Sequence, residues 1–125
     1  MPVYICNTLQ TGMSRNGAAI SYRRNIMFRI TEGKGFHMAF ENGFTVSVQF
    51  GFGNYCENRH EPIDAPSGEC ADAELAVIGG DGNVILNTVT GHLSTDKAAK
   101  IIGLVKAAST KDDVIYGIDR IVYGG

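Results

Sequence analysis

The alternation of apolar and polar residues between Ile26 and Phe50 is the feature that most constrains the fold of this 125-residue chain. In three consecutive segments every second residue is apolar. The apolar sets are Ile26, Phe28 and Ile30, then Phe36, Met38 and Phe40, then Phe44, Val46, Val48 and Phe50. Because successive side chains of a strand point to opposite faces, this period of two predicts three half-buried strands. The glycine-containing turns between them predict an antiparallel meander with one wet face.

A second hairpin is predicted after residue 70. Asp81-Gly82 is a strong turn signal, and it lies between the apolar alternations of residues 73–77 and 84–88. Residues 112–125, DDVIYGIDRIVYGG, also alternate and predict a last strand.

One helix is predicted between these strands. Ser94 is a suitable N-cap, and Asp96 lies in the first turn. Apolar residues then recur at the spacing of a helical stripe, at Ala98, Ile101, Ile102, Val105 and Ala108. We expect this stripe to pack on the apolar face of the sheet.

The expected fold class is therefore α+β. It consists of an antiparallel β-sheet of about five to six strands, built from a β-meander and hairpins and packed by one α-helix from the C-terminal half. With 44% hydrophobic and 19% charged residues, the chain is expected to form a single domain over residues 1–125. Residues 1–24 have no sustained period and are expected to form a loosely ordered N-terminal arm.

Composition also excludes several classes of function. The formal net charge is −2, from 11 basic and 13 acidic residues, which argues against direct nucleic-acid binding. No apolar run reaches the roughly 20 residues that a bilayer requires, and the first residues lack a signal-peptide pattern. Three cysteines, an odd number, are most simply free thiols. A cytoplasmic protein without a membrane association is expected.

Residues 51–70 are predicted to form a long loop. Its first half lies within the stretch FGFGNYCENRHEP, residues 50–62. Long loops inside compact domains are often functional, and Tyr and Arg dominate binding hot spots. We expect the loop to bind a protein partner. The candidate partner-binding residues are Phe52, Asn54, Tyr55, Glu57, Asn58, Arg59 and His60.

The polar face of the sheet is a second candidate surface. Its residues are rich in Thr, Ser and Gln and low in charge: Arg29, Thr31, His37, Thr45, Ser47 and Gln49. Such faces are usually solvated, but this one also suits docking against another protein or against a second copy of the chain in a homodimer.

Chemistry at Cys56 is an alternative interpretation of the loop. Cys56, His60 and Cys70 offer three zinc donors, but a fourth ligand is not evident, so no metal or other cofactor is expected. Cys56 as a nucleophile would need a neighbouring base or cation, which His60 or Arg59 could supply.

Two resemblances bear on function. The start MPVYICNT resembles the tautomerase superfamily, in which Pro2 would become a catalytic amine, but the similarity ends after eight residues. The segment KGFHMAFENGFTVSVQFGFGNYCENR, Lys34 to Arg59, resembles the core of small uncharacterised proteins encoded by bacteriophages and prophages. This second resemblance implies a phage accessory protein, and many such proteins block host immunity by stoichiometric binding, as anti-CRISPR proteins do.

Three hypotheses follow. The leading one is a phage-encoded small binding protein, not an enzyme, that inhibits a bacterial defence factor such as a CRISPR effector in the host cytoplasm. A second is a sponge that binds a nucleotide immune signal, with cations from Arg23, Arg24 and Arg29. A third is a small enzyme that uses Cys56 or Pro2.

Overall fold

The computed structural model describes residues 26–31 and 34–124. The predictions made for residues 1–24, including the N-terminal arm and Pro2, lie outside this part of the chain. The described residues form an antiparallel sheet with helices packed on one side, so the predicted α+β class is confirmed.

Five strands follow one another across the sheet in chain order. They are β1 (Phe28–Ile30), β2 (Gly35–Ala39), β3 (Thr45–Gln49), β4 (Ala73–Ile78) and β5 (Thr90–Leu93). Every neighbouring pair is antiparallel. The meander predicted from residues 26–50 is therefore confirmed, and β4 and β5 extend it.

The core lies where β3 and β4 meet the first helix, α1 (Thr95–Ala107). Val46 pairs with Val77 and Val48 with Leu75, which places these four side chains on the same sheet face. Three of them are completely buried, and Ile101 on α1 is also completely buried. Complete burial of such a side chain contributes about 1.5–3 kcal/mol, so this contact is a main source of stability.

The ends of α1 are both satisfied by side chains. Ser94 is the N-cap, and its hydroxyl accepts a hydrogen bond from the N–H of Lys97. At the other end, the amide of Asn42 in the β2–β3 turn donates to the carbonyls of Val105, at 2.8 Å, and Ala108, at 2.9 Å. The last carbonyls of a helix have no partner within it, so Asn42 caps α1 from the sheet.

The C-terminal segment differs from the prediction. Residues 112–125 were expected to form a strand, but Lys111–Tyr123 forms a second helix, α2. Thr110 and Asp113 form a capping box at its start, and Val114 and Ile118, four residues apart, are buried. The helical spacing prevails because α2 packs on α1, and the two helices together replace the single helix that was expected.

The partner of β4 also differs. Residues 84–88 were expected to form a strand, but only Val84 makes an isolated bridge, with Ile78, and a 3₁₀ helix (Leu86–Thr88) follows. The buried hydroxyl of Thr88 accepts from the N–H of Val77 at 2.9 Å. The side chain of Thr88 thus makes the hydrogen bond to Val77 that a neighbouring strand would otherwise make with its backbone. The next strand, β5, begins only at Thr90.

Among the residues that the structure describes, no helix covers the apolar face at the β1 edge. Phe28 and Ile30 lie on the same face as Val46 and Val48 by the strand register, yet they are 75% and 81% exposed. Among the described residues, α1 contacts β3, β4 and β5 and does not reach β1. None of the helices in the described part of the chain is long and apolar enough to cross a bilayer.

The first prediction tests this placement of the core. Ile101→Ala removes completely buried atoms and should lower the free energy of unfolding by about 2–5 kcal/mol. Phe28→Ala, on the same sheet face but exposed, should change it by no more than about 0.5 kcal/mol. Urea unfolding followed by circular dichroism measures both values, and equal losses would contradict the structure.

Candidate functional site

The loop between β3 and β4, residues 50–72, leaves the sheet through two glycines. The N–H of Phe50 still donates to the carbonyl of Lys34, at 2.8 Å, and then Gly51 and Gly53 turn the chain with φ of 130° and 85°. Both values lie in the region that favours glycine. The glycines seen in the sequence therefore fix where the loop departs.

Cys56 lies at the centre of this loop. It is 2% exposed, its sulfur accepts from the N–H of Gly51 at 3.2 Å, and its thiol donates to Oδ1 of Asn58 at 3.0 Å. Burial raises the pKa of the Cys56 thiol, and the neighbouring Cys70 thiol acts in the same direction. Because a nucleophile requires the thiolate, this environment favours a structural role for Cys56 over a catalytic one.

The two ends of the loop are tied to each other by side chains. Asn58 also donates to the carbonyl of Glu69, at 2.9 Å, and Oδ1 of Asp72 accepts from the N–H of Glu57. These bonds place Cys70 beside Cys56, but the third expected donor does not join them. Within the described ranges no three His, Cys, Asp or Glu side chains form a group that could hold a metal ion, and His60 is exposed.

The loop is also docked on β5. The N–H of His92 donates to the carbonyl of Tyr55 at 2.9 Å, and Nδ1 of His92 lies 3.1 Å from Oδ2 of Asp72. His92 has a φ of 53°, in the left-handed region that few residues other than glycine, Asn, Asp and His adopt. A Cβ on the preceding residue, Gly91, would lie only 2.5 Å from the Cβ of Tyr55. The loop and the strand are thus in direct backbone contact.

The carboxylate of Asp72 is part of this docking. Burial alone would raise its pKa, but the hydrogen bond from the N–H of Glu57 and the charge and hydrogen bond of His92 outweigh burial. The pKa of Asp72 is therefore lowered from its ordinary value of 3.8. A lowered pKa means that the folded structure stabilises the ionised carboxylate of Asp72 relative to the protonated form.

The outer surface of the loop is aromatic and apolar. Cζ of Arg59 lies 4.4 Å from the centroid of the Tyr55 ring, in a cation–π contact. Tyr55 is 51% exposed, and Phe52 and Ile63 are also exposed. Lys34 fixes the chain beside them by donating from Nζ to the carbonyl of Phe52 at 3.0 Å.

A shallow cavity of about 310 Å³ lies beside these side chains. Its walls include Phe50, Phe52, Pro62, Ile63 and Pro66. We call Phe52, Tyr55, Arg59 and Ile63, together with this cavity, the loop surface.

The seven predicted partner-binding residues divide into two groups. Phe52, Tyr55, Glu57 and His60 are exposed, and Arg59 is half-buried against Tyr55. Asn54 is buried and donates to Oε1 of Glu74 at 2.8 Å, and Asn58 bonds within the loop. The two asparagines therefore support the loop from inside.

Sequence reasoning missed three contributors: Ile63, Asp72 and His92. Ile63 is an isolated apolar residue in a polar segment between Pro62 and Asp64, and this was a usable signal. The contact between Asp72 and His92 joins positions 20 residues apart, and nothing in the local sequence announces it.

Comparisons with known proteins add no relative. No family model matches the chain, no curated protein matches it, and no solved structure matches it.

The second prediction concerns the docking of the loop. Gly91→Ala places a Cβ against Tyr55 and should displace the loop from β5, which would increase amide hydrogen exchange of residues 51–72. Gly103→Ala is the matched control because a Cβ there meets open space, and it should stabilise α1 by about 1 kcal/mol. Hydrogen-exchange mass spectrometry compares the two variants, and unchanged loop protection in Gly91→Ala would contradict this docking.

The third prediction is a pH dependence. Because the pKa of Asp72 is lowered in the folded state, its ionised form stabilises the protein above the unfolded value of 3.8. This stabilisation is lost as the pH falls through the folded-state pKa. Asp72→Asn should therefore be less stable than the parent at about pH 7, and the difference should shrink below about pH 3.8.

Chemical unfolding at several pH values measures this difference. Asp64→Asn serves as the control, since the Asp64 side chain makes no hydrogen bond with another described residue. A stability difference for Asp72→Asn that stays constant across the pH range would refute the assigned role.

Proposed function

We propose that the protein is a small phage-encoded binding protein that inhibits a bacterial defence factor by stoichiometric protein–protein interaction. The observation that carries this proposal is the Tyr55–Arg59 pair on the outside of the loop, with Tyr55 exposed and Arg59 half-buried against it. Hydrogen bonds hold the interior of this loop. A complementary partner would bury this pair at the centre of the interface.

Preorganisation is the first physical argument. Binding normally costs the free energy of ordering side chains and loops at the interface. Here Cys56, Asn58 and Asp72 already fix the backbone of the loop, and Arg59 is already stacked on Tyr55. A partner therefore meets a surface that needs little further ordering.

The composition of the loop surface is the second argument. Tyr and Arg are enriched among residues that dominate binding energy, and they act best when surrounding contacts exclude water. Phe52 and Ile63 flank the pair and supply apolar area, and the adjacent cavity can accept a side chain from the partner. This pattern fits a protein interface better than a reactive centre, because Cys56 is buried with a raised pKa.

The class of partner rests on the resemblance of residues 34–59 to phage accessory proteins. It favours a host defence protein in the bacterial cytoplasm, with a CRISPR effector as the leading candidate. Neither a direct contact with nucleic acid nor a membrane is required by this mode of action.

The fourth prediction tests the interface. Tyr55→Ala combined with Arg59→Ala should weaken binding by at least about 30-fold, which corresponds to about 2 kcal/mol, without lowering the melting temperature. The matched control is Tyr123→Ala combined with Arg120→Ala, which removes the same side-chain types from the exposed face of α2.

The assay expresses each form in bacteria that carry one defined defence system and measures phage plating. The parent and the control should restore plating, and the loop variant should not. A tagged parent protein should then co-elute with the inhibited defence protein in a fixed ratio on a sizing column. The same column, run with the free protein, tests the homodimer predicted from the polar sheet face.

Two results would count against the proposal. One is that no defence system in a broad panel is inhibited. The other is that inhibition occurs but is equally strong in the loop variant, which would place the interface elsewhere.

A further inference from the structure

A pocket of about 380 Å³ lies on the sheet face opposite the helices. It lies at the end of β3 near Thr45, whereas the long loop leaves β3 at the other end, after Gln49. The helices pack on the other face, so this side is open in the part of the chain that the structure describes. Arg29, His37, Thr45, Ile78 and Gly79 are among its lining residues. Its volume is within the range of small-molecule sites.

Two basic side chains are brought together here by the strand register. Arg29 on β1 and His37 on β2 are direct cross-strand partners, so their side chains emerge side by side on the same face. The guanidinium of Arg29 makes a weak contact of 3.8 Å with the sulfur of Met27, and it forms no ion pair with any acidic residue in the described ranges. Within the part of the chain that the structure describes, its charge is therefore available to a ligand.

Acidic residues are absent from the described lining of this pocket. Asp81, which lies between the lining residues Gly80 and Gly82, uses its carboxylate oxygens to accept from the N–H and the side-chain amide of Asn83. Glu74 shares this sheet face, but its Oε1 accepts from Asn54 two strands away from His37. Both carboxylates are therefore engaged elsewhere.

Acidic and basic residues are also unevenly distributed along the sequence. Residues 1–31 carry four arginines and no acidic residue, whereas residues 32–125 carry 7 basic and 13 acidic residues. The near-neutral total thus hides a strong segregation of charge, with the positive excess in the segment that leads into β1. Such asymmetry is typical of chains that bind an anionic partner.

The protonation of His37 depends on burial and on the charge beside it. Burial lowers the pKa of His37, and the charge of Arg29 lowers it further. A bound anion would oppose the effect of Arg29 and favour the protonated imidazole.

We propose that this pocket binds the phosphate group of a small phosphorylated ligand. The planar fork of Arg29 can hold two phosphate oxygens, protonated His37 can donate to a third, and the hydroxyl of Thr45 lines the same pocket. The charge of Arg29, together with that of His37 once it is protonated, suits a dianion, and the pocket has room for a ligand about the size of a nucleoside monophosphate. This site is independent of the protein interface proposed above.

Binding should be pH-dependent with a defined sign. Among groups facing His37, Arg29 stays charged, and Ser47 and Thr45 on β3 do not titrate. Because the bound phosphate favours protonated His37, affinity relative to a His37→Gln variant should increase as the pH falls from about 8 to about 6. The titration of the phosphate itself is common to both proteins and cancels in this comparison.

The fifth prediction is tested by titration calorimetry and by NMR of the backbone amides. Inorganic phosphate and AMP should shift amides of residues 29, 37 and 45, and adenosine should not. Arg29→Gln should weaken AMP binding by about tenfold or more. Arg29→Lys, which keeps the charge but lacks the fork, should fall between Arg29→Gln and the parent.

Arg59→Gln is the matched control, because it removes the same charge from the distant loop surface. It should leave AMP affinity unchanged, and the melting temperature of every variant should match that of the parent. Acetate, with a single charge, should bind about tenfold more weakly than phosphate.

Several outcomes would overturn the proposal. They are binding of adenosine as strong as that of AMP, equal weakening by Arg29→Gln and Arg59→Gln, no response to phosphate, or acetate binding as tight as phosphate binding. Each of these leaves the loop-surface assay unaffected, so failure here is distinguishable from failure of the proposed function.

Discussion

The seating of α1 across β3 and β4 is the contact on which the other parts of the structure depend. Ile101 and Val105 are completely buried, and Asn42 holds the end of the same helix to the β2–β3 turn. Since the helices of residues 34–124 occupy one face only, the opposite face of the described sheet carries an open pocket. The long loop docks on β5 at the edge of the same sheet. Both proposed binding surfaces are consequences of this one-sided packing.

The sequence predicts the fold well where a single periodicity dominates. Residues 26–50 alternate without ambiguity, and the strands follow. The segment of α2 supports two interpretations, because Val114, Tyr116 and Ile118 alternate while Val114 and Ile118 also have helical spacing. Packing against α1 decides between them, and a contact with a distant element cannot be read from local spacing. The same reason explains β5, whose start depends on the buried hydroxyl of Thr88.

The candidate site shows the same division. Residue type alone indicates Tyr55 and Arg59, because these side chains are typical of interfaces. It does not indicate which polar residues turn inward. Asn54 is buried because Glu74, 20 positions later, is placed to accept its amide proton. Likewise, the near-neutral total charge argued only against nucleic-acid binding, and it concealed that the charges are divided between the first 31 residues and the remainder.

The closeness of Gly91 to Tyr55 has a consequence for recognising relatives of this chain. With no space for a methyl group between the fifth strand and the loop, a descendant can keep this arrangement only if it keeps glycine at that place. Distant family members should therefore share a glycine immediately before the positive-φ residue, even where every surrounding side chain has drifted. A sequence pattern that combines Gly91 with Gly51 and Gly53 should therefore identify relatives that overall sequence identity does not detect.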